Sequence, residues 1–192
     1  MPVFRTRVDV ELTRKIYQRV PVLVNERTGE NPWGVRFLAM FHMSNDSGLF
    51  ATEPREGYVR LYEAKMFWHF DHRWGTFEAK DVRELTVIEK AAPAFEATTR
   101  YWVSKDEVEH RRLDWTRGWF LGFRRISNTT NERTFIMSIL PNVGFGDNVF
   151  LMLPDPKLSA RAATTLVGCV NSLSYDYIAR QKMGGVNLNY FY

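Results

Sequence analysis

The chain has 192 residues and a mass of 22.5 kDa, with 26 Lys+Arg against 22 Asp+Glu, a formal net charge of +4 and a pI near 9.3. Its 45% hydrophobic and 25% charged residues are the balance of a globular domain and exclude disordered, collagen-like and low-complexity chains. No run approaches the roughly 18 apolar residues that span a bilayer, Met1 to Arg5 carry no apolar signal segment, and the single Cys169 excludes an internal disulfide framework and a cysteine-rich zinc site, which fits a reducing cytoplasm.

Leu12, Ile16 and Val20 recur at helical spacing behind Asp9, so the first element is expected to be a helix capped by Asp9 and stopped by Pro21. Val22 to Val24 reads as a short buried strand, and Asn25 to Gly34 as a polar loop. Val35 to Met43 is apolar without a decisive period. Turns are expected at Ser44–Gly48 and Glu53–Gly57, followed by an alternating strand at Tyr58–Tyr62. Glu63 to Trp74 is dense in aromatic and ionisable groups, and Thr76 to Lys90 carries mixed signals.

The second half is clearer. Arg100–Val103 reads as a strand, and Ser104 with Glu107 as a capping box opening a short helix. Gly118–Ile126, Thr134–Leu140 and Val149–Leu153 are β-rich runs separated by polar turns, the pattern of an antiparallel meander. Asp155 and Pro156 are expected to open one long last helix with an apolar stripe of Leu166, Val170, Leu173 and Tyr177. Gly184 and Gly185 would end it, behind Arg180 and Lys182 in its last turns. The whole reads as an α+β fold: a mostly antiparallel twisted sheet with a few packed helices. The abrupt ends, at Met1-Pro2 and at Asn187 to Tyr192, lead us to expect a single domain, residues 1–192, cut from a longer protein.

Three constellations carry possible chemistry. His69, Asp71 and His72 are potential metal ligands, but two histidines three apart with no clear third ligand more often pack or hydrogen-bond. Glu63-Ala-Lys65 and Glu78-Ala-Lys80 match the short acid-x-lysine signature of magnesium-dependent nucleases, with Asp46 as a possible preceding acid. The alternative is a salt-bridged strand end. The run Arg124 to Arg133 (RRISNTTNER) is the best candidate on physical grounds, because arginine and asparagine read base edges and Ser, Thr and Arg bond phosphates. Lys182, Asn187 and Asn189 offer a second polar edge. Its bland counterpart is a polar turn, and the +4 charge permits an acidic polymer without requiring one. The chain lacks nucleophile-elbow, phosphate-loop and zincin signatures. Asn31-Pro-Trp33 lacks the second proline of the Asn-Pro-Pro-aromatic motif of amino-methylating enzymes and reads as a loop. The 15% aromatic content, with 6 Trp and 14 Phe, reads chiefly as packing.

An ordered series of segments carries a resemblance: Phe4–Tyr17, Asn31–Gly34, Met43–Phe50, Leu61–Met66, Phe70–Arg73, Trp119–Thr134 and Ala179–Asn189. Together they resemble the C-terminal part of Eco57I-like bacterial adenine-specific DNA methyltransferases of restriction-modification and phage-defence type. The resemblance implies a target-recognition domain that chooses the DNA sequence. The S-adenosylmethionine pocket and the adenine-holding motif would lie upstream in the parent enzyme, so this chain would hold no catalytic residue, metal or cofactor of its own.

The implied partners are double-stranded DNA and the methyltransferase core of the same polypeptide, with no membrane. Expected DNA contacts are Arg124, Arg125, Asn128, Thr129, Asn131 and Arg133, joined by Lys65, Arg73, Lys182 and Asn187. Because Arg124–Arg133 is itself part of the shared series, the resemblance implies contact with phosphate or the partner domain more than base reading. The alternatives are a magnesium nuclease centre on Asp46, Glu63 and Lys65, and a non-DNA module that docks on the methyltransferase core.

Overall fold

A computed structural model describes residues 4–188. Helix α1 (Arg7–Arg19) is capped by Thr6 and not by Asp9: the Thr6 hydroxyl accepts from the Asp9 amide, and the Asp9 carboxylate accepts from the Thr6 amide. Asp9 therefore sits one turn inside, in a reciprocal capping box that satisfies two freed donors. Val22–Val24 forms no strand, since the chain turns there into a small loop closed by an Asn25–Glu30 bridge.

The body is mixed α+β. Its central sheet has the order β1 (Arg36–Leu38), β10 (Val149–Leu153), β7 (Trp119–Arg124), β8 (Met137–Pro141), all antiparallel. The three expected β-runs are present, but not as a meander. β7 and β8 form a hairpin, and β10 returns on the far side of β7. Close contact between β7 and β8 needs Gly122, where a Cβ would collide with the Leu140 side chain. A second sheet has the order β2 (Phe50–Ala51), β6 (Tyr101–Ser104), β3 (Tyr58–Tyr62), β9 (Gly144–Phe145), with the β3–β9 pair parallel. A separate hairpin joins β4 (Gly75–Glu78) to β5 (Asp81–Glu84) and leads into α2 (Val87–Ala91).

Two apolar cores lie on opposite faces of the central sheet. Phe120, Leu140, Leu151 and Leu153 point to one core, shared with Leu61, Val103 and Phe145 of the second sheet and with Trp115. Leu121, Phe123, Met137, Phe150 and Met152 point to the other, covered by Leu166, Val167, Val170 and Ala179. Every residue of β10 is consequently buried, which explains its unbroken apolar sequence where a half-exposed strand would alternate.

The expected last helix is two helices. α4 (Ala160–Val170) is capped by Ser159 and α5 (Leu173–Lys182) by Ser172. Asp155 instead holds a turn, accepting from the Lys157 amide. The stripe breaks where the helices part: Leu166 and Val170 are buried, whereas Leu173 is 74% exposed. Asn171 causes the break. Its carboxamide donates to Met137 O (2.9 Å) and accepts from Met137 N (3.0 Å), bonds that replace helical continuation with anchorage to β8. Ser104 caps α3 (Lys105–Arg111) through the Asp106 amide, so the expected pairing with Glu107 is not the capping contact.

Candidate nucleic-acid interface

The polar loop between β7 and β8 is held from below. Asp176, buried in α5, accepts from the Thr134 and Phe135 amides, each at 2.7 Å, and pairs with Arg180 at 3.2 Å. Arg180 in turn donates to the carbonyls of Thr129 (2.9 Å), Asn131 (3.0 Å) and Glu132 (3.2 Å). Asn128 Oδ1 accepts from the Thr130 amide, and Ser127 Oγ donates to Thr134 O. A loop whose carbonyls are clamped in this way presents its side chains in fixed directions. Asn128 and Asn131 are exposed and Thr129 is half-buried.

The segment after α5 lies along the start of this loop. Ile126 bridges Asn187, Ser127 N donates to Val186 O (3.0 Å) and Leu188 N donates to Arg125 O (2.6 Å). Of the second polar edge read from the sequence, exposed Asn187 is thus held against Arg125–Ser127, where the chain enters the Asn128–Arg133 loop. Lys182 is half-buried, its ammonium 5.4 Å from the Tyr17 ring. Asn189 lies outside the described residues.

The arginines of the run are largely committed to the protein. Arg124 donates to Phe67 O through Nε (3.1 Å) and Nη2, and its guanidinium lies 4.5 Å from the Trp68 ring. Burial lowers its pKa to about 10, which leaves it cationic at neutral pH. Arg125 pairs with Asp147 (3.2 Å) beneath the Phe150 ring. Arg133 reaches Asn171 O at 3.4 Å, while its Nη1 is buried without a partner. Arg73 donates to the carbonyls of Lys90, Ala92 and Phe95, and so holds the segment after α2. Lys65 is exposed on the short 3-10 turn Ala64–Met66.

The other constellations are dispersed. Asp46 makes a two-pronged pair with Arg111 (2.8 and 2.9 Å), which holds its carboxyl below the usual range. Glu63 pairs with Arg100 (3.0 and 3.1 Å). The two carboxylates of the nuclease alternative are thus each engaged by a different arginine. His69 Nε2 lies 2.8 Å from Phe135 O, and Asp71 binds Lys90 (2.6 Å) and the Arg73 amide. Burial lowers the pKa of both His69 and His72. Among the described residues no three His, Cys, Asp or Glu side chains gather where they could hold a metal ion, and no helix is long and apolar enough to cross a membrane.

Sequence reasoning missed Asp176 and Asn171, and gave Arg180 only a helix-end role. The available signal was the Asn171-Ser172 pair inside an apolar stripe, because asparagine is poor in helix interiors and serine favours caps. In comparison with known proteins, no family model and no curated protein matches the chain.

Proposed function

We propose that this chain is the DNA sequence-recognition module of an adenine-specific DNA methyltransferase of a restriction-modification or phage-defence system. The methyltransferase core that binds S-adenosylmethionine and flips the adenine would lie elsewhere in the parent polypeptide. The observation that supports the reading is the polar Asn128–Arg133 loop clamped by Arg180, with the exposed Asn187 segment paired to the residues that lead into it. Such a surface offers amide donors and acceptors at fixed positions, as groove contacts require. The net charge of +4 supports a modest electrostatic footprint. Asn128, Asn131 and Asn187 would contact the groove or backbone directly. Lys65 and Lys182 would add phosphate contacts. Arg124, Arg133 and Arg73 would act mainly through their positive field, since most of their donors are bound to carbonyls or buried, whereas the field of Arg125 is offset by Asp147.

The test is binding of the 192-residue chain to duplex DNA across a salt series, read by fluorescence anisotropy. Affinity should fall linearly with log salt. Asn131→Ala combined with Asn187→Ala should weaken binding about tenfold, the worth of a lost amide contact pair. Absence of binding even at low salt would overturn the reading.

A further inference from the structure

Phe70 is an aromatic residue in a backbone conformation that glycine would ordinarily fill. Trp68 N donates to Asp71 O (2.8 Å) and Asp71 N to Trp68 O (3.1 Å), closing a tight turn with His69 and Phe70 at its tip. Phe70 has φ 59°, a genuine outlier for a bulky side chain. The residue is 64% exposed, so burial does not compensate the strain. The turn is nonetheless fixed from several directions. Phe70 N donates to Met137 O (3.3 Å), His69 binds Phe135 O, Asp71 binds Lys90, and Trp68 stacks on Trp74 with ring centres 5.5 Å apart. Among the described residues, the other non-glycine residues with positive φ are Ala79, which closes the β4–β5 hairpin, and Leu113, which follows α3. Those are routine places for a left-handed residue, and neither presents an aromatic ring.

The surroundings point to the class of ligand. The His69 ring lies 6.3 Å from that of Phe70, tilted by 37°. Behind the turn stand Arg124 and Arg133, neither with a carboxylate partner among the described residues, and both near enough to His69 to oppose its protonation. An open groove of about 280 Å³ runs beside the ring, walled by His72, Trp119, Ile139 and Pro141. An apolar peptide could use the groove, but two guanidiniums behind the ring, bound to carbonyls and only partly offset by Asp176, favour a polyanion. We propose that Phe70 is a stacking residue whose fixed, exposed ring packs against a nucleobase step of bound DNA, with Arg124 and Arg133 drawing the flanking phosphates. The proposal rests on the DNA-recognition reading above. Strain held at an exposed ring is what a preorganised contact requires.

The experiment uses the full chain and a short mixed-sequence duplex carrying a fluorescent purine analogue in place of a central adenine. Wild type should bind and change the analogue's fluorescence. Phe70→Gly should weaken binding about tenfold, as expected for one lost stacked base, and abolish the fluorescence change. Its melting temperature should be equal or higher, because glycine accepts the backbone conformation. Phe70→Tyr should retain both binding and signal. If wild type binds and Phe70→Gly binds equally well, the stacking role is overturned while DNA recognition stands, and the ring becomes available to a protein partner. A lowered melting temperature in Phe70→Gly with affinity unchanged would overturn it as well, by making the ring a packing group. If wild type does not bind DNA at all, the recognition reading itself fails and the stacking role falls with it.

Discussion

Asp176 shows how much of this surface depends on a side chain that never reaches it. Asp176 is 5% exposed, and its carboxylate takes two main-chain amides and one guanidinium. Removing it strands the buried N–H groups of Thr134 and Phe135 and leaves Arg180 without its counter-charge. Breaking a buried, fully hydrogen-bonded charge of this kind costs about 3–5 kcal/mol. Asp176→Ala should therefore lower unfolding stability by about 3 kcal/mol or more, measured by urea denaturation, and should speed amide exchange at Thr134 and Phe135. A loss under about 1 kcal/mol would show that the carboxylate is dispensable. None of this was legible in the sequence. The partner amides lie 41 and 42 positions away, and an acid in the first turn of a helix already has a sufficient local reason in the helix dipole. The arginine-rich run was legible as polar and hairpin-bound. What its letters could not reveal is that Arg124 is folded back onto Phe67 and Trp68, because an arginine that binds a carbonyl and one that binds a phosphate look alike in sequence.

At the level of elements, the division between α4 and α5 decides how the helical layer meets the sheet. A single helix from Asp155 to Lys182 would have kept one apolar stripe. The break instead lets α4 cover Phe150 and Met152 while α5 brings Asp176 and Arg180 under the loop. Asn171 makes that possible by bonding both main-chain groups of Met137. Asn171→Ala should cost about 2 kcal/mol, since it leaves the buried Met137 N–H unpaired and Met137 O with only the Phe70 amide as donor. Ser172→Ala should cost about 1 kcal/mol through the lost cap on Tyr175 N. Thermal unfolding of the two variants checks the order. If Ser172→Ala proves the more damaging, the bond to β8 is not what fixes the break. Strand existence was legible at several apolar runs bounded by turn residues, as at Tyr58–Tyr62, Trp119–Arg124 and Val149–Leu153, though not at Val22–Val24. Strand order was not. β10 pairs with β7 and β1 instead of β8, a non-local choice set by covering both faces of β10.

For the whole molecule, ionisable groups on several elements titrate together. Burial lowers the pKa values of His69 and His72 below the ordinary 6.5, so below that value the unfolded chain takes up protons that the folded chain refuses. Asp46 and Asp114 are lowered from 3.8 by Arg111 and Arg36, Asp9 by Tyr177, and Glu89 from 4.5 to about 2 by Arg83. For these carboxyls too, the unfolded chain binds more protons between the folded and unfolded values, so stability falls as pH falls. The signs agree, and the windows differ. Stability should be greatest above pH 6.5, decline first just below it as the histidines are drawn toward their protonated, unfolded form, and decline again below pH 4.5 as the carboxylate pairs are lost. Urea midpoints taken across the acid range would show two steps. His69→Gln combined with His72→Gln should flatten the upper step and leave the lower one in place, because the carboxylate pairs involve neither histidine. An upper step that persists in the double variant would assign it to other groups. Since His69 sits beneath Phe70 and beside Arg124 and Arg133, the same upper window should loosen the strained turn before it loosens the central sheet. Amide exchange at Phe70, whose N–H is held by Met137 O, should therefore accelerate on acidification ahead of that at Leu121 in β7, once both are corrected for intrinsic rates.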